Sequence, residues 1–228
     1  MKTILTGAAV AAMLAATIGA AAAQNAAPAN YKALRDFSYS NPNGAWSYGY
    51  GAGGDAASFV RFPTSLQILG NGFLDSFYDS ESTVSLDNTG GTKVLAASAS
   101  SVVIPTDALV MHPRSDGQDT MVVFTAPAAG FYLMEGFFEI LDNAPTSVAP
   151  KIFIGSKDQT LKAFSSKNPV VLTGPADPSK KKVGQKKKFS LTRELSVGQR
   201  VQFVVNANGD WRFDSTGFDV TITPVPAP

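Results

Sequence analysis

The sequence predicts an all-β chain: a single β-sandwich of jelly-roll type, about nine or ten antiparallel strands after a cleaved signal peptide. Three observations carry this expectation. Apolar segments after residue 35 are short, rich in Val, Ile, Phe and Thr, and bounded by Gly, Pro, Asn, Asp or Ser. Val201, Phe203 and Val205 alternate with Gln202, Val204 and Asn206, and Phe218, Val220 and Ile222 alternate with Asp219, Thr221 and Thr223. That period of two belongs to half-buried strands. Beyond the N-terminal segment, no stretch sustains the 3.6-residue apolar period of a helix.

In chain order, the segments read as strands are 46–50, 57–62, 101–104, 119–125, 130–141, 151–154, 187–193, 200–206 and 217–223. The stretch Ala108-Leu109-Val110-Met111 is also strand-like and leads into His112. Asn41-Pro42-Asn43-Gly44 is a turn signature ahead of Trp46 and Tyr48. Gly49, Gly51, Gly53 and Gly54 read as a strand ending in a Gly-rich loop. Gly51-Ala52-Gly53-Gly54 has no following Lys-Ser/Thr, so it is not a phosphate loop. There is no internal repeat at a fixed period.

The first 23 residues carry an address. Met1-Lys2 gives a short positive start, residues 4–18 are apolar and uncharged, and Ala21-Ala22-Ala23 supplies small residues before Gln24. This is the grammar of a secretory signal peptide cleaved after Ala23. The expected organisation is a signal peptide (1–23), a leader (24–35), the sandwich domain (36–223) and a Pro-rich tail (224–228). No later stretch has the roughly 18 apolar residues of a membrane span. The expected location is therefore secreted, extracellular or periplasmic, with no membrane span after cleavage.

Composition narrows the chemistry. The 228 residues include no Cys and one His. Disulfide frameworks, thiol nucleophiles and zinc ribbons are thereby excluded, as are metal sites that need several histidines. With 44% hydrophobic and 16% charged residues, the chain can bury a sizeable core. Its formal charge of +1 argues against a general nucleic-acid coat. That total hides a split: 5 basic against 12 acidic residues over 24–143, then 13 basic against 6 acidic over 144–228. Six of the basic residues form two triplets, Lys180-Lys181-Lys182 and Lys186-Lys187-Lys188.

The segment 174–186 reads as an exposed, Pro-rich loop, with the second triplet leading into a strand that starts near Phe189. Its lysines are candidates for holding an anionic matrix polymer such as an acidic polysaccharide. The plainer reading is that they solubilise the loop and blunt a strand edge. A third is that they meet an acidic patch on a second copy, giving a homo-oligomer.

No catalytic constellation stands out. His112 as a base would need an orienting acid, with Asp107, Asp116 and Asp119 near in sequence. Glu135 with Glu139, or Asp75, Asp79 and Glu81, are carboxylate groups whose spacing alone fixes no glycosidase geometry. There is no Gly-x-Ser-x-Gly elbow. No cofactor is expected, apart from a weak calcium signal at Asp75 to Glu81 and Asp87-Asn88, which lack EF-hand spacing. Binding has more support. Trp211 sits in the polar turn after Asn206-Ala207-Asn208-Gly209-Asp210, and Trp46, Tyr48 and Tyr50 share one alternating face. Flat rings stack on sugars while Asn and Asp take hydroxyls. The candidate ligand residues are Trp211, Asn208, Asp210, His112 and Tyr48; Trp46 reads rather as core.

Three stretches resemble secreted bacterial proteins of the PEP-CTERM-associated kind. They are Asp36-Phe37-Ser38 through Asn41-Pro42-Asn43-Gly44-Ala45-Trp46-Ser47-Tyr48-Gly49, then His112-Pro113 with Val122 through Tyr132, and Asp214-Ser215-Thr216-Gly217-Phe218. The resemblance implies a jelly-roll domain after a signal peptide and a link to exopolysaccharide or biofilm matrix. The chain departs from the family at Val225-Pro226-Ala227-Pro228, where a sorting signal would have Pro-Glu-Pro. The Lys-rich segment 178–188 also lies outside the resemblance. The expected function is a secreted, non-catalytic sandwich that binds polysaccharide or serves in the matrix. A self-assembling surface protein and a polysaccharide hydrolase or lyase are the alternatives.

Overall fold

The structure is a computed structural model that describes residues 30–228 apart from 39, 64–66, 69–73, 79–81, 88–89, 97–98, 156 and 159–169. The signal peptide and most of the leader lie outside the described residues, as do Asp79, Glu81 and Asn88. Among the described residues no helix is long and apolar enough to cross a membrane.

Among the described residues the strands form two antiparallel sheets and a separate hairpin, so the all-β sandwich expected from the alternating segments is what forms. The first sheet contains β1 (Tyr31–Lys32), β4 (Gln67–Ile68), β5 (Leu74–Tyr78), β6 (Thr83–Asp87), β9 (Leu109–His112), β11 (Gly130–Ile140), β14 (Lys186–Leu195) and β16 (Thr216–Val225). Its order is β14-β11-β16-β9-β6-β5-β4, with β1 added on β16. The second sheet contains β2 (Trp46–Gly51), β3 (Val60–Arg61), β10 (Asp119–Thr125), β12 (Ala149–Ile154), β13 (Lys157–Asp158) and β15 (Arg200–Asn206). Its order is β13-β12-β15-β10-β2-β3. The hairpin pairs β7 (Lys93–Ala96) with β8 (Ser101–Ile104).

The main core lies between the sheets. Phe218 and Phe189 from the first sheet meet Phe203 of the second, with ring centroids 5.2 Å and 5.9 Å away, and Phe138 packs on Phe218 at 4.9 Å. Farther along, Tyr48 of β2 stacks on Phe77 of β5 at 5.4 Å. Such ring pairs add to the area they bury, about 0.5–1.5 kcal/mol each. Each sheet also has part of its outer face covered. Met121, Val123, Phe153 and Val204 pack with Phe59, while Leu74, Ile104, Val110 and Leu141 pack with Val102 and Val183. This double coverage explains why β10 reads as the unbroken apolar run Met121-Val122-Val123-Phe124.

Two glycines are required by close approach. A Cβ on Gly49 would stand 2.1 Å from the Val60 carbonyl of β3, and one on Gly136 would stand 2.4 Å from the Asp219 carbonyl of β16. Asn41, buried at the turn before β2, donates to the Tyr48 and Phe62 carbonyls at 2.8 and 3.0 Å and accepts from the Tyr48 N–H at 3.0 Å. The Asn-Pro-Asn-Gly signature thus marks a packed turn.

The Lys-rich segment needs one correction. Strand β14 begins at Lys186, so the second triplet lies inside the strand and not before it. Only the first triplet belongs to the irregular segment, where Pro178–Lys180 form a 3-10 turn closed by the Asp177–Lys182 bridge. The pairing of Glu139 with Lys186 across β11 and β14 draws the triplet into the ladder.

Candidate functional site

The site lies at one end of the sandwich, where several strands begin or stop. Strand β9 ends at His112, and β15 ends at Asn206. The segment 207–215 then turns back into β16, while the chain leaves β11 at Ile140 and passes through Asp142, and β8 is entered through Ser100. Register brings these ends together: Thr216 stands opposite Met111 on one side and Ile140 on the other. Ninety-nine residues apart in sequence, His112 and Trp211 therefore meet edge to face, with centroids 6.0 Å apart.

Trp211 is 39% exposed, a large share for a residue of that size beside a core. It stands with His112, Val102 and Phe213 around a cavity of about 370 Å³ that Ser100, Asp142, Arg212 and Ser215 complete. The cavity is mostly apolar, with a few polar groups converging on it, the usual make-up of a small-ligand site.

The polar groups are held from below. Asp142 is buried; its Oδ1 accepts from the Ser100 hydroxyl at 2.7 Å and its Oδ2 from the Ser215 N–H at 2.7 Å. Asp142 therefore ties β8, β11 and β16 together. His112 Nδ1 lies 2.9 Å from the Pro113 carbonyl, which fixes Nδ1 as the protonated nitrogen. Burial pushes the imidazole below the ordinary histidine range, against the opposing pull of the Pro113 carbonyl and Asp142.

The turn itself is braced by its own side chains. Asp210 takes the Arg212 guanidinium at 2.6 Å and the Arg212 N–H at 3.1 Å, and this contact holds its carboxyl down to about 2. Asn208 and Phe213 both adopt positive φ, at 47° and 60°. Asn tolerates that conformation, whereas for Phe it is strained. The amide of Asn208 reaches the Ser147 hydroxyl at 3.1 Å. Beneath the turn Asp214 is fully buried, and burial pushes its carboxyl up to about 7 despite the Thr146 hydroxyl and the Ser147 and Thr146 N–H groups, with Asp142 adding to the rise.

The residues singled out in sequence thus part company. Trp211 and His112 share the cavity, and Asp210 and Asn208 brace the turn that presents Trp211. Tyr48 does not belong with them. It is 0% exposed and stacked on Phe77, so it is a core residue and cannot reach a ligand. Trp46, at 1% exposed, is likewise core.

The acids considered for His112 are engaged elsewhere. Asp116 binds Arg114, Asp119 takes the Gly53 and Asn206 donors, and Asp107 stands 4.0 Å from Lys186. Asp75 and Asp87 are buried in β5 and β6, and among the described residues no three His, Cys, Asp or Glu side chains converge. Ser100, Asp142 and Asp214 escaped the sequence reading, because only the fold assembles them. The one signal for Asp214 was its place just before a strand, after a polar turn.

The lysines occupy a different face. Lys186 Nζ is 2.9 Å from Glu139 Oε2 and lies over the Phe137 ring at 3.6 Å, and Lys180 pairs with Asp177 at 3.0 Å. Lys181, Lys182 and Lys188 are exposed and Lys187 half-buried, without an ion pair among the described residues.

No protein-family model matches the chain, and no curated protein matches it in sequence. Among solved structures it is similar to a family 35 carbohydrate binding module from Clostridium thermocellum, at 9% identity and a TM-score of 0.33, over 59% of this chain and 89% of that one. It is similar to the carbohydrate binding module CBM6cm-2 from Cellvibrio mixtus lichenase 5A in complex with cellotriose, at 16% identity and a TM-score of 0.26, over 59% and 88%. An arabinose-bound α-L-arabinofuranosidase matches at 12% identity and a TM-score of 0.36, over 78% of this chain and 26% of that one. These values are too low to carry a role across, so the functional reading rests on the chain's own residues.

Proposed function

We propose that the protein is a non-catalytic β-sandwich that binds polysaccharide outside the cytoplasm, taking a sugar ring against Trp211 at the end of the sandwich. One observation carries the reading: an exposed indole beside an apolar cavity of about 370 Å³, with hydroxyl, imidazole and guanidinium groups at its edge. A pyranose has an apolar face for the ring and hydroxyls for Ser100, His112 and Arg212. Asp142 spends both oxygens on structural hydrogen bonds, which favours binding over hydrolysis. A place in the extracellular or biofilm matrix, as the PEP-CTERM-like stretches imply, is part of the same proposal.

The test is affinity electrophoresis of the purified protein in gels of neutral and acidic polysaccharides, followed by titration of the best ligand. Losing the stacking in Trp211→Ala should weaken binding about tenfold, the equivalent of roughly 1.4 kcal/mol. Equal retention of wild type and variant, or no retention at all, overturns the proposal. Release of new reducing ends from the retained polymer would replace it with the hydrolase reading.

A further inference from the structure

Under the Trp211 turn, oxygen atoms from two chain segments crowd one point. Thr146 Oγ1 stands 2.6 Å from the Asp210 carbonyl, 2.9 Å from the Arg212 carbonyl and 2.9 Å from Asp214 Oδ1. A threonine hydroxyl has one hydrogen to donate, and carbonyl and carboxylate oxygens have none. The two carbonyls and Asp214 Oδ1 therefore compete for one hydroxyl hydrogen, and of the three Asp214 Oδ1 also accepts the Ser147 N–H, at 3.1 Å. Oxygens pressed together in this way repel unless a positive centre stands among them.

A second observation points the same way. Asp214 is fully buried, and among the described residues its Oδ2 has no hydrogen-bond partner. The nearby guanidinium of Arg212 is turned to the Asp210 side chain at 2.6 Å, so it does not serve Asp214. A buried carboxylate with an idle oxygen is costly until something pairs with it.

We propose that Thr146 Oγ1, the Asp210 and Arg212 carbonyls and the Asp214 carboxylate form a calcium site that pins the 207–215 segment to the 141–148 connection. The donor set is all oxygen, mostly neutral and irregular. Calcium accepts such a set, taking 6–8 oxygens at 2.3–2.6 Å, which puts neighbouring ligands about 3 Å apart. The spacing around Thr146 already matches. Thr146 is exposed, so water has access to complete the shell. Magnesium demands a regular octahedron and holds its waters, and zinc favours nitrogen and sulfur donors that are lacking here. With one carboxylate in the set, a count of acidic side chains passes over the site. The inference does not depend on sugar binding, although the cation would steady the turn that presents Trp211.

Calorimetric titration of the EDTA-stripped protein with calcium chloride tests it, alongside melting curves and tryptophan fluorescence. One calcium per chain is expected, with a melting temperature raised by about 5 °C at a hundredfold excess over Kd. Magnesium should give a smaller rise. Asp214→Asn should cut affinity about tenfold or more, and Thr146→Ala should cut it less. Asp210→Asn should leave it intact, because only the Asp210 backbone is a ligand. Should Asp214→Asn fail to fold, the wild-type titration and Thr146→Ala decide the matter. Identical melting in EDTA and in millimolar calcium overturns the proposal. So does a stripped protein that Asp214→Asn stabilises while calcium acts on neither form, because the occupant is then a proton on Asp214.

Discussion

Replacing Lys186 by methionine separates the structural role of the Lys-rich segment from any role in binding. Glu139 is 1% exposed, and its Oε2 lies 2.9 Å from the Lys186 ammonium, which also covers the Phe137 ring at 3.6 Å. Burial pushes the Glu139 carboxyl up, and Lys186 opposes the rise. Removing one partner of a buried pair typically costs 3–5 kcal/mol. Lys186 is about a third exposed, so water screens part of that and the low end applies, about 3 kcal/mol. Losing the contact with the Phe137 ring adds about 0.5–1 kcal/mol.

Urea unfolding followed by tryptophan fluorescence reads the difference. Its dependence on pH identifies the cause. A carboxyl whose folded pKa is raised contributes stability that is complete below its unfolded pKa and is lost as pH rises through the folded value. Without Lys186 the folded pKa of Glu139 climbs further. The deficit of Lys186→Met should therefore be largest at neutral pH and close as pH falls toward about 4. The double variant with Glu139→Gln should recover most of the loss at neutral pH. A deficit below about 1 kcal/mol, or one equal at both pH values, would refute a buried pair and return Lys186 to the solvent-facing set.

Three further expectations follow from the same geometry. Tyr48→Phe should leave sugar binding unchanged and the fold as stable or slightly more so by thermal melting, because the buried Tyr48 hydroxyl has no hydrogen-bond partner among the described residues; a loss of binding would put Tyr48 back at the site. Replacing Lys181, Lys182, Lys187 and Lys188 by serine should abolish salt-sensitive retention on an acidic polysaccharide column while the melting temperature moves by less than about 2 °C; unchanged retention would remove these lysines from polyanion binding. Burial lowers the His112 pKa, so the ring is neutral above about pH 6.5. Sugar affinity measured between about pH 6.5 and 8 should then be flat, and a titration in that window would show an imidazolium at work.

What the sequence disclosed, and what it withheld, follows the range of each interaction. The period of two in β15 and β16 placed Phe203, Val205, Phe218 and Val220 in the core correctly, because that signal is local. The same period understated β15. Gln202 and Val204 were expected to face solvent, yet both are buried, with Gln202 accepting the Gly54 N–H at 2.8 Å. A loop more than a hundred residues upstream covers that face, and no local pattern announces it. Strands β5 and β6 escaped for a different reason. Their buried Ser76 and Ser85 hydroxyls bond to each other at 2.7 Å, so Ser-rich stretches that look like loops pair as strands. At the site, the polar turn marked Trp211, whereas its meeting with His112 and Asp142 depends on strand register alone.

The segregated charge takes on a different meaning once the strands are paired. Asp107 and Glu139 belong to the acidic part of the sequence and Lys186 to the basic part, yet they meet within one chain. Lys32 and Asp219 pair at 3.4 Å in the opposite sense. Part of the dipole read along the sequence is therefore closed inside the fold and cannot steer a second copy. The remainder is specific: Lys181 and Lys182 follow the 3-10 turn, and Lys187 and Lys188 lie on β14, the edge of the first sheet. Lysines on an edge strand discourage pairing with another sheet whatever else they do. Self-assembly driven by that edge is thus opposed by the very residues that would attract an acidic polymer, and light scattering of the purified protein should find no growth at low salt, where like charges repel most. Growth at low salt that dissolves on adding salt would instead mean that the unpaired lysines find acidic partners on another copy.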